Sequence, residues 1–380
     1  MAKPDEVTQA PAIGPASTRT RRAGSPRTGA GFRLAGPCTL VLAATVWLAA
    51  SALGASPSWT ELLRRPDDWH RGTEGRLARE HVLAWQTAAG DWPKNVDTTS
   101  PVIDPKNGHR GTFDNGATTR ELRFLARACV ATGEDRARQA VLRGLEHVLS
   151  AQYPNGGWPQ SYPPGPGYAR YITFNDDTMV RLLELVRDVA THDDWAWVGE
   201  THRQRARVAF DRGVQCILNC QIRSGGRLTA WCAQHDELTL EPRPARSYEL
   251  VSLSGAESAR ILRLLMSLKS PSPELATAIE AGVAWFEAVK LTGIRVEQLG
   301  DDRVVKPDPT APPLWARFYE LETHRPIFSG RDGVKRYTLA EIEPERRNGY
   351  AWYGTWGEGV ARDYQAWQNA GYNQPAHPGE

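Results

Sequence analysis

Two kinds of chemistry-bearing residue are concentrated in this chain. The first are oxygen donors in two matching strings, "TFDNGATT" and "TFNDDTMV", which carry Asp114 and Asn115 in one copy and Asn175, Asp176 and Asp177 in the other. Carboxylate and amide oxygens gathered at one rim are ligands for a hard cation such as Ca²⁺. The alternative is that each of them only caps a helix, since Asp, Asn, Ser and Thr oxygens accept the orphan N–H groups at helix starts. The spacing does not match an EF-hand loop.

The second kind is basic and lies towards the C-terminal end. Arg243 and Arg246 stand in "RPARSYEL", and Arg317, Arg325, Arg331, Lys335 and Arg336 in "PPLWARFYELETHRPIFSGRDGVKRY". Arg346 and Arg347 sit beside Tyr350, Trp352, Tyr353 and Trp356. Guanidinium forks grip carboxylates, and flat rings cover the apolar faces of sugars, so this mixture suits a carboxylated sugar. A solvated charged surface is the competing account for most of these residues. Arg331 stands out because glycines flank it in "SGRDG", as a loop presenting one side chain requires.

A repeat must position both groups. "QTAAGDWPK" (Gln86–Lys94) returns as "QYPNGGWPQ" (Gln152–Gln160), each preceded by a Val-Leu pair. A weaker third round runs from "ILNCQIRSGGRLTAW" at Ile217 to "SLSGAESARILRLLMSL" at Ser252. Between the copies, apolar residues recur at three- and four-residue spacing, the pattern of amphipathic helices, and strand alternation is scarce. Each unit reads as helix, Gly-Trp turn, loop, polar helix start, helix. Three helical hairpins at a period in the sixties predict a ring or solenoid with every post-Trp loop at one end. Gly supplies the tight turn and Pro stops the preceding element, so Trp92 and Trp158 are expected to be structural.

The bulk properties agree with a folded globular protein. The 380 residues carry a net charge of only +2, which offers no field for nucleic acid. Residues 1–32 are rich in Pro, Gly, Ser, Thr and Arg, too polar to bury a core. "CTLVLAATVWLAASALGAS" (Cys38–Ser56) then reads as a secretory signal, with an uncleaved membrane anchor as the alternative. Either way the folded part is expected outside the cytoplasm, secreted or periplasmic. The domain reading is a leader over 1–56, a catalytic domain over 57–357 and a polar tail over 358–380. Cys129, Cys216, Cys220 and Cys232 remain beyond the leader, too few for a disulfide framework. Buried thiols or one bridge are expected.

Longer strings make a family resemblance specific. "GGWPQ", "YITFNDDTMV", "WCAQHDELTL", "ARSYEL", "PLWARFY" and "ERRNGYAWYGTW" resemble the pectate lyases of polysaccharide lyase family 10, over about His81 to Trp356. The resemblance implies an all-α dominated fold, an incomplete (α/α)3 toroid of three hairpins with long loops at one end. It also implies Ca²⁺-dependent β-elimination of polygalacturonate (pectin) by a monomer. On this resemblance Asp114 and Asp176 serve the calcium, with Asp177 as a substitute for Asp176. Arg331 is matched to the catalytic base, Arg246 and Arg317 to clamps on substrate carboxylates, and Asn115 to a further sugar contact. Rival readings are a non-catalytic pectin binder, a hydrolase using paired carboxylates, and a toroid similar to the triterpene cyclases, whose QW repeats share Q-x-x-x-G-x-W. The many arginines argue against the greasy pocket that last reading needs.

Overall fold

The computed structural model describes residues 58–102 and 109–371. The segment read as a leader with a signal or anchor lies outside the described residues. Short helices α1 (Trp59–Leu62) and α2 (Asp67–Arg71) lead into α3 (Thr73–Trp85). Three hairpins follow: α4 (Thr119–Thr132) with α5 (Asp135–Ser150), α6 (Thr178–Thr191) with α7 (Glu200–Cys220), and α8 (Gly255–Met266) with α9 (Pro273–Ala288). Helix α4 packs on α6 and α6 on α8, forming an inner row, while α3, α5 and α7 neighbour one another outside it. This is the expected incomplete (α/α)3 toroid.

The inner helices explain themselves from sequence. Leu122, Leu125, Leu182, Leu183, Leu262 and Leu265 recur at helical spacing and are fully buried. The second helix of each hairpin carries one glycine, Gly144, Gly213 or Gly282, against a leucine of the first. A Cβ on them would stand 2.5 Å from Leu122, 2.5 Å from Leu183 and 2.7 Å from Leu262 respectively. Close approach of the two rows therefore requires glycine at these three positions.

The Q-x-x-x-G-x-W repeat is the stitching between units. The indole N–H of Trp92 donates to the Val82 carbonyl, that of Trp158 to Val148 and that of Trp231 to Ile217, at 2.7, 2.9 and 2.7 Å. Each satisfies a carbonyl near the end of an outer helix that has no intrahelical partner. Trp315 repeats the contact on Phe286 at 2.8 Å, a fourth round with no glutamine. The glutamines reach across the ring. The Gln86 amide donates to its own Gly90 loop and to Ala140 in α5. Gln152 does the same to Gly156 and to Ala209 in α7, and Gln221 to Thr229 and to Ala278 in α9.

Strands are few and short. Ile172–Thr173 pairs with Gln234–His235 just before the second acidic turn, and Leu253–Ser254 pairs with Phe318–Tyr319. Among the described residues one extended hairpin, Ile294–Leu299 with Asp302–Pro307, follows α9. Helix α10 (Pro344–Gly349) and α11 (Trp356–Asn369) close the fold. The expected polar tail after Gly357 is, in its first part, this last helix. Val360 and Trp367 fall on one face and are buried against α8 and α9, and Arg263 of α8 pairs with Asp363 at 2.5 Å. Its dense polar residues hid an amphipathic stripe. Among the described residues, Cys129, Cys216, Cys220 and Cys232 are buried free thiols. No described helix is long and apolar enough to cross a membrane.

Candidate active site

The polar helix starts do not cap. Asp114–Gly116 and Asn175–Asp177 each form a separate 3₁₀ turn ahead of α4 and α6, and neither helix has a side-chain capping bond. Helix α8 differs, because Ser254 does accept from the Glu257 N–H. Within the turns Asn115, Asp176 and Asp177 hold φ of 54°, 52° and 64°. Non-glycine residues in left-handed backbone cost of order 1–3 kcal/mol each and persist where the surroundings enforce them, as at active sites. The two turns pack against each other.

Around them lies a cleft of about 340 Å³, lined by Asn115, Asp176, Asp177, Glu257, Arg260 and Arg317. Arg317 enters from the C-terminal segment and is 8% exposed. Its guanidinium pairs with Glu257, lies 3.4 Å from an Asp176 oxygen, and donates to the Asn175 amide oxygen at 3.3 Å. Burial pushes the Glu257 carboxyl up from its ordinary range, and the Arg317 charge opposes that push. Asp177 is held by Arg260 at 3.3 Å and Arg181 at 3.4 Å.

Asp114 sits beneath the cleft and is 2% exposed. One oxygen accepts from the Lys94 ammonium and, at 2.6 Å, from the Gln160 amide. Lys94 and Gln160 are equivalent in the repeat, each two residues after its Trp. The other oxygen, Oδ1, is buried with no hydrogen-bond partner. Asn115 reaches sideways, donating to Asn95 at 3.2 Å.

The arginine and aromatic residues form a connected face. Tyr350 stacks with the Arg317 guanidinium at 4.9 Å and the Arg246 guanidinium at 5.8 Å. Arg246 is gripped by Glu249, which also accepts from the Tyr350 hydroxyl at 2.7 Å. Arg346 lies 4.6 Å over Tyr248, whose other close cation is Arg246 at 5.1 Å. Arg331 joins this face only through Glu345, which it grips at 2.9 Å and which also holds Arg346. That carboxylate is drawn down to about 2 by the Arg346 and Arg331 hydrogen bonds. Arg331 is exposed, and its partner raises its pKa further above the ordinary arginine value. Arg246, Arg317, Asn115 and Asp176 are thus brought to one region with Asp114 under it, whereas Arg331 stands at the outer end of the face. Glu257, Lys94, Gln160 and Arg260 were not anticipated.

A calcium site fits these residues in one particular form. The donors are hard oxygens and Asp114 Oδ1 lacks a partner, as a ligand awaiting a cation would. Yet among the described residues no three His, Cys, Asp or Glu side chains could hold a metal by themselves. Ca²⁺ takes roughly six to eight oxygens. The set therefore fits a cation completed by water and substrate oxygens, and does not fit a closed protein cage.

Comparisons with known proteins agree with this architecture. No curated protein matches the chain. The family model described as pectic acid lyase matches residues 86–361. The family 10 polysaccharide lyase from Cellvibrio cellulosa is 35% identical with a TM-score of 0.73, covering 83% of this chain and 95% of that one. A mutant of that lyase, in complex with trigalacturonic acid, is 36% identical with the same TM-score, covering 81% and 95%. A similarity of that extent, carried by the same helical toroid, excludes the triterpene-cyclase reading; the chain belongs to the pectic acid lyase family and is a polysaccharide lyase.

Proposed function

We propose that this chain cleaves polygalacturonate by calcium-dependent β-elimination outside the cytoplasm. The observation that carries the reading is the pair of non-capping acidic turns facing Arg317 across one cleft. Eliminating across C4–C5 of a galacturonate means removing the C5 proton beside a carboxylate that is already negative. Asp114 and Asp176 would hold a calcium ion that, when bound, supplies positive charge against that carboxylate. Arg317 is a preorganised fork for a substrate carboxylate, kept in place by Glu257 and Asn175. Asn115 offers an amide to a sugar hydroxyl, and Tyr350 supports the two arginines it stacks with.

Arg331 is the base that the family resemblance assigns. Its tie to Glu345 must be exchanged for substrate before it can lose a proton. A second reading makes Arg246 the base and Arg331 a clamp, favoured by the Tyr350 ring that Arg246 shares with Arg317. Burial pulls the Arg246 pKa down, but Glu249 more than offsets it, so here too release from a carboxylate must precede proton transfer. Alanine and lysine variants at each position separate the roles. Loss of the base lowers kcat by about 10²- to 10⁴-fold, whereas loss of a clamp chiefly raises KM. A kcat collapse at position 246 with a KM effect at 331 supports the second reading, and the reverse pattern supports Arg331.

A further inference from the structure

We propose a distal uronate subsite on the loop side of the first hairpin, resting on the reading of the substrate as polygalacturonate. Two adjoining concavities, each of roughly 550 Å³, share Ala88, Ala89, Tyr162 and Pro163. The first is walled by the exposed side of α5, and both by the turn before Trp92 and the loop after Trp158; the second also takes in the loop that leads to the first acidic turn. The groove adjoins the first acidic turn along the chain. The strand of wall at Arg110 and Gly111 runs within three residues into Asp114, and the wall residue Ser161 follows Gln160, which donates to Asp114.

Charge is what makes this groove selective. Its other charged groups are already tied by hydrogen bonds. Glu146 is held by Arg205 and His202 and Asp91 by Thr87 and His147, while Arg143, also without a carboxylate partner among the described residues, is tied to the neutral Gln86 amide oxygen at 2.6 Å. Arg110 is exposed at the rim and has no acidic partner among the described residues. An unpaired guanidinium binds a carboxylate in a geometry a neutral sugar cannot reproduce. Tyr162 is 36% exposed, with its ring braced edge-on by buried His147 at 5.7 Å, and offers a flat apolar face beside that cation. An apolar ring next to a cation with no hydrogen-bond partner among the described residues is the complement of a sugar bearing a carboxylate. The groove therefore takes uronate units of the same chain, beyond those at the acidic turns, and gives long substrates an advantage over short ones.

The test uses the full-length protein with Arg110→Ala, Arg110→Lys and Tyr162→Ala. Elimination kinetics are measured on trigalacturonate and on polygalacturonate, with calorimetric binding of the same ligands in parallel. The expected result is a rise of about five- to tenfold in KM on the polymer for Arg110→Ala and Tyr162→Ala, with kcat unchanged. Arg110→Lys should recover part of that loss, and all three variants should match wild type on trigalacturonate. Equal losses on both substrates, or none on the polymer, overturn the subsite. A wild-type protein that binds the polymer without eliminating overturns the underlying lyase reading instead. In that case the weaker polymer binding of Arg110→Ala still decides the subsite.

Discussion

Replacing Arg317 by Ala is expected to reduce elimination at least a thousandfold and to destabilise the fold. Its guanidinium is nine-tenths buried and touches Glu257, Asp176, Asn175 and the Tyr350 ring. Removing one partner of a buried ion pair strands the other, which costs about 3–5 kcal/mol. Here the stranded group is Glu257, fully buried at the start of α8. Burial already raises its pKa, so without Arg317 it would remain protonated over a wider pH range. Arg317→Lys keeps a charge but loses the fork and the stacking, so activity should fall about a hundredfold with a smaller stability loss. Thermal unfolding beside kcat/KM separates the effects. Full activity in Arg317→Ala would refute the role assigned to this residue.

The second large effect is expected at Asp114. Asp114→Asn preserves shape and the chance of accepting from Gln160, but removes the charge that faces Lys94 and leaves Oδ1 or its replacement amide in the same buried position. Activity should drop about a thousandfold, in the range seen when one electrostatic element of a catalytic centre is lost. The decisive readout is independent of turnover. A ligand that binds only the folded state raises its unfolding temperature, by an amount that grows with the logarithm of its concentration relative to Kd. Calcium added with trigalacturonate should therefore raise the Tm of the wild type and leave that of Asp114→Asn unchanged. An equal rise in both proteins would remove Asp114 from the cation site.

Much of the architecture is legible in the sequence because it is written more than once. Q-x-x-x-G-x-W marks the junction twice, and the Gln and Trp of the looser third round, Gln221 and Trp231, make the same bonds as those of the first two. The acidic turns were legible as candidates for the same reason, but their role was not. Asp114, Asn115, Asn175 and Asp176 have the composition of helix caps, and only the left-handed backbone and missing capping bonds separate them from caps. Glu257 was hidden by the opposite effect. Ser254 and Glu257 have the spacing of a capping box, and Ser254 does cap α8, so nothing in that string announces a buried ion pair with a residue 60 positions away. Lys94 and Gln160 lay within the repeat itself, where their shared position after each Trp was a signal of common use. The order of the arginines along the aromatic face depends on contacts between distant segments, which spacing cannot supply. Gly residues flanking Arg331 singled it out from the chain alone, whereas the stacking on Tyr350 brings Arg246 towards the cleft. The helix after Thr355 was obscured by its polar composition, although Val360 and Trp367 fall on one face.

The most direct test of the central claim is the ultraviolet absorbance of unsaturated uronate while polygalacturonate is incubated with the protein, first with calcium and then with a chelator. The account predicts a steady rise with calcium, its loss on chelation, and its return when calcium is restored. A rise that chelator does not affect would contradict the calcium-dependent mechanism. Bond cleavage detected as new reducing ends without any such absorbance would contradict elimination altogether and leave hydrolysis.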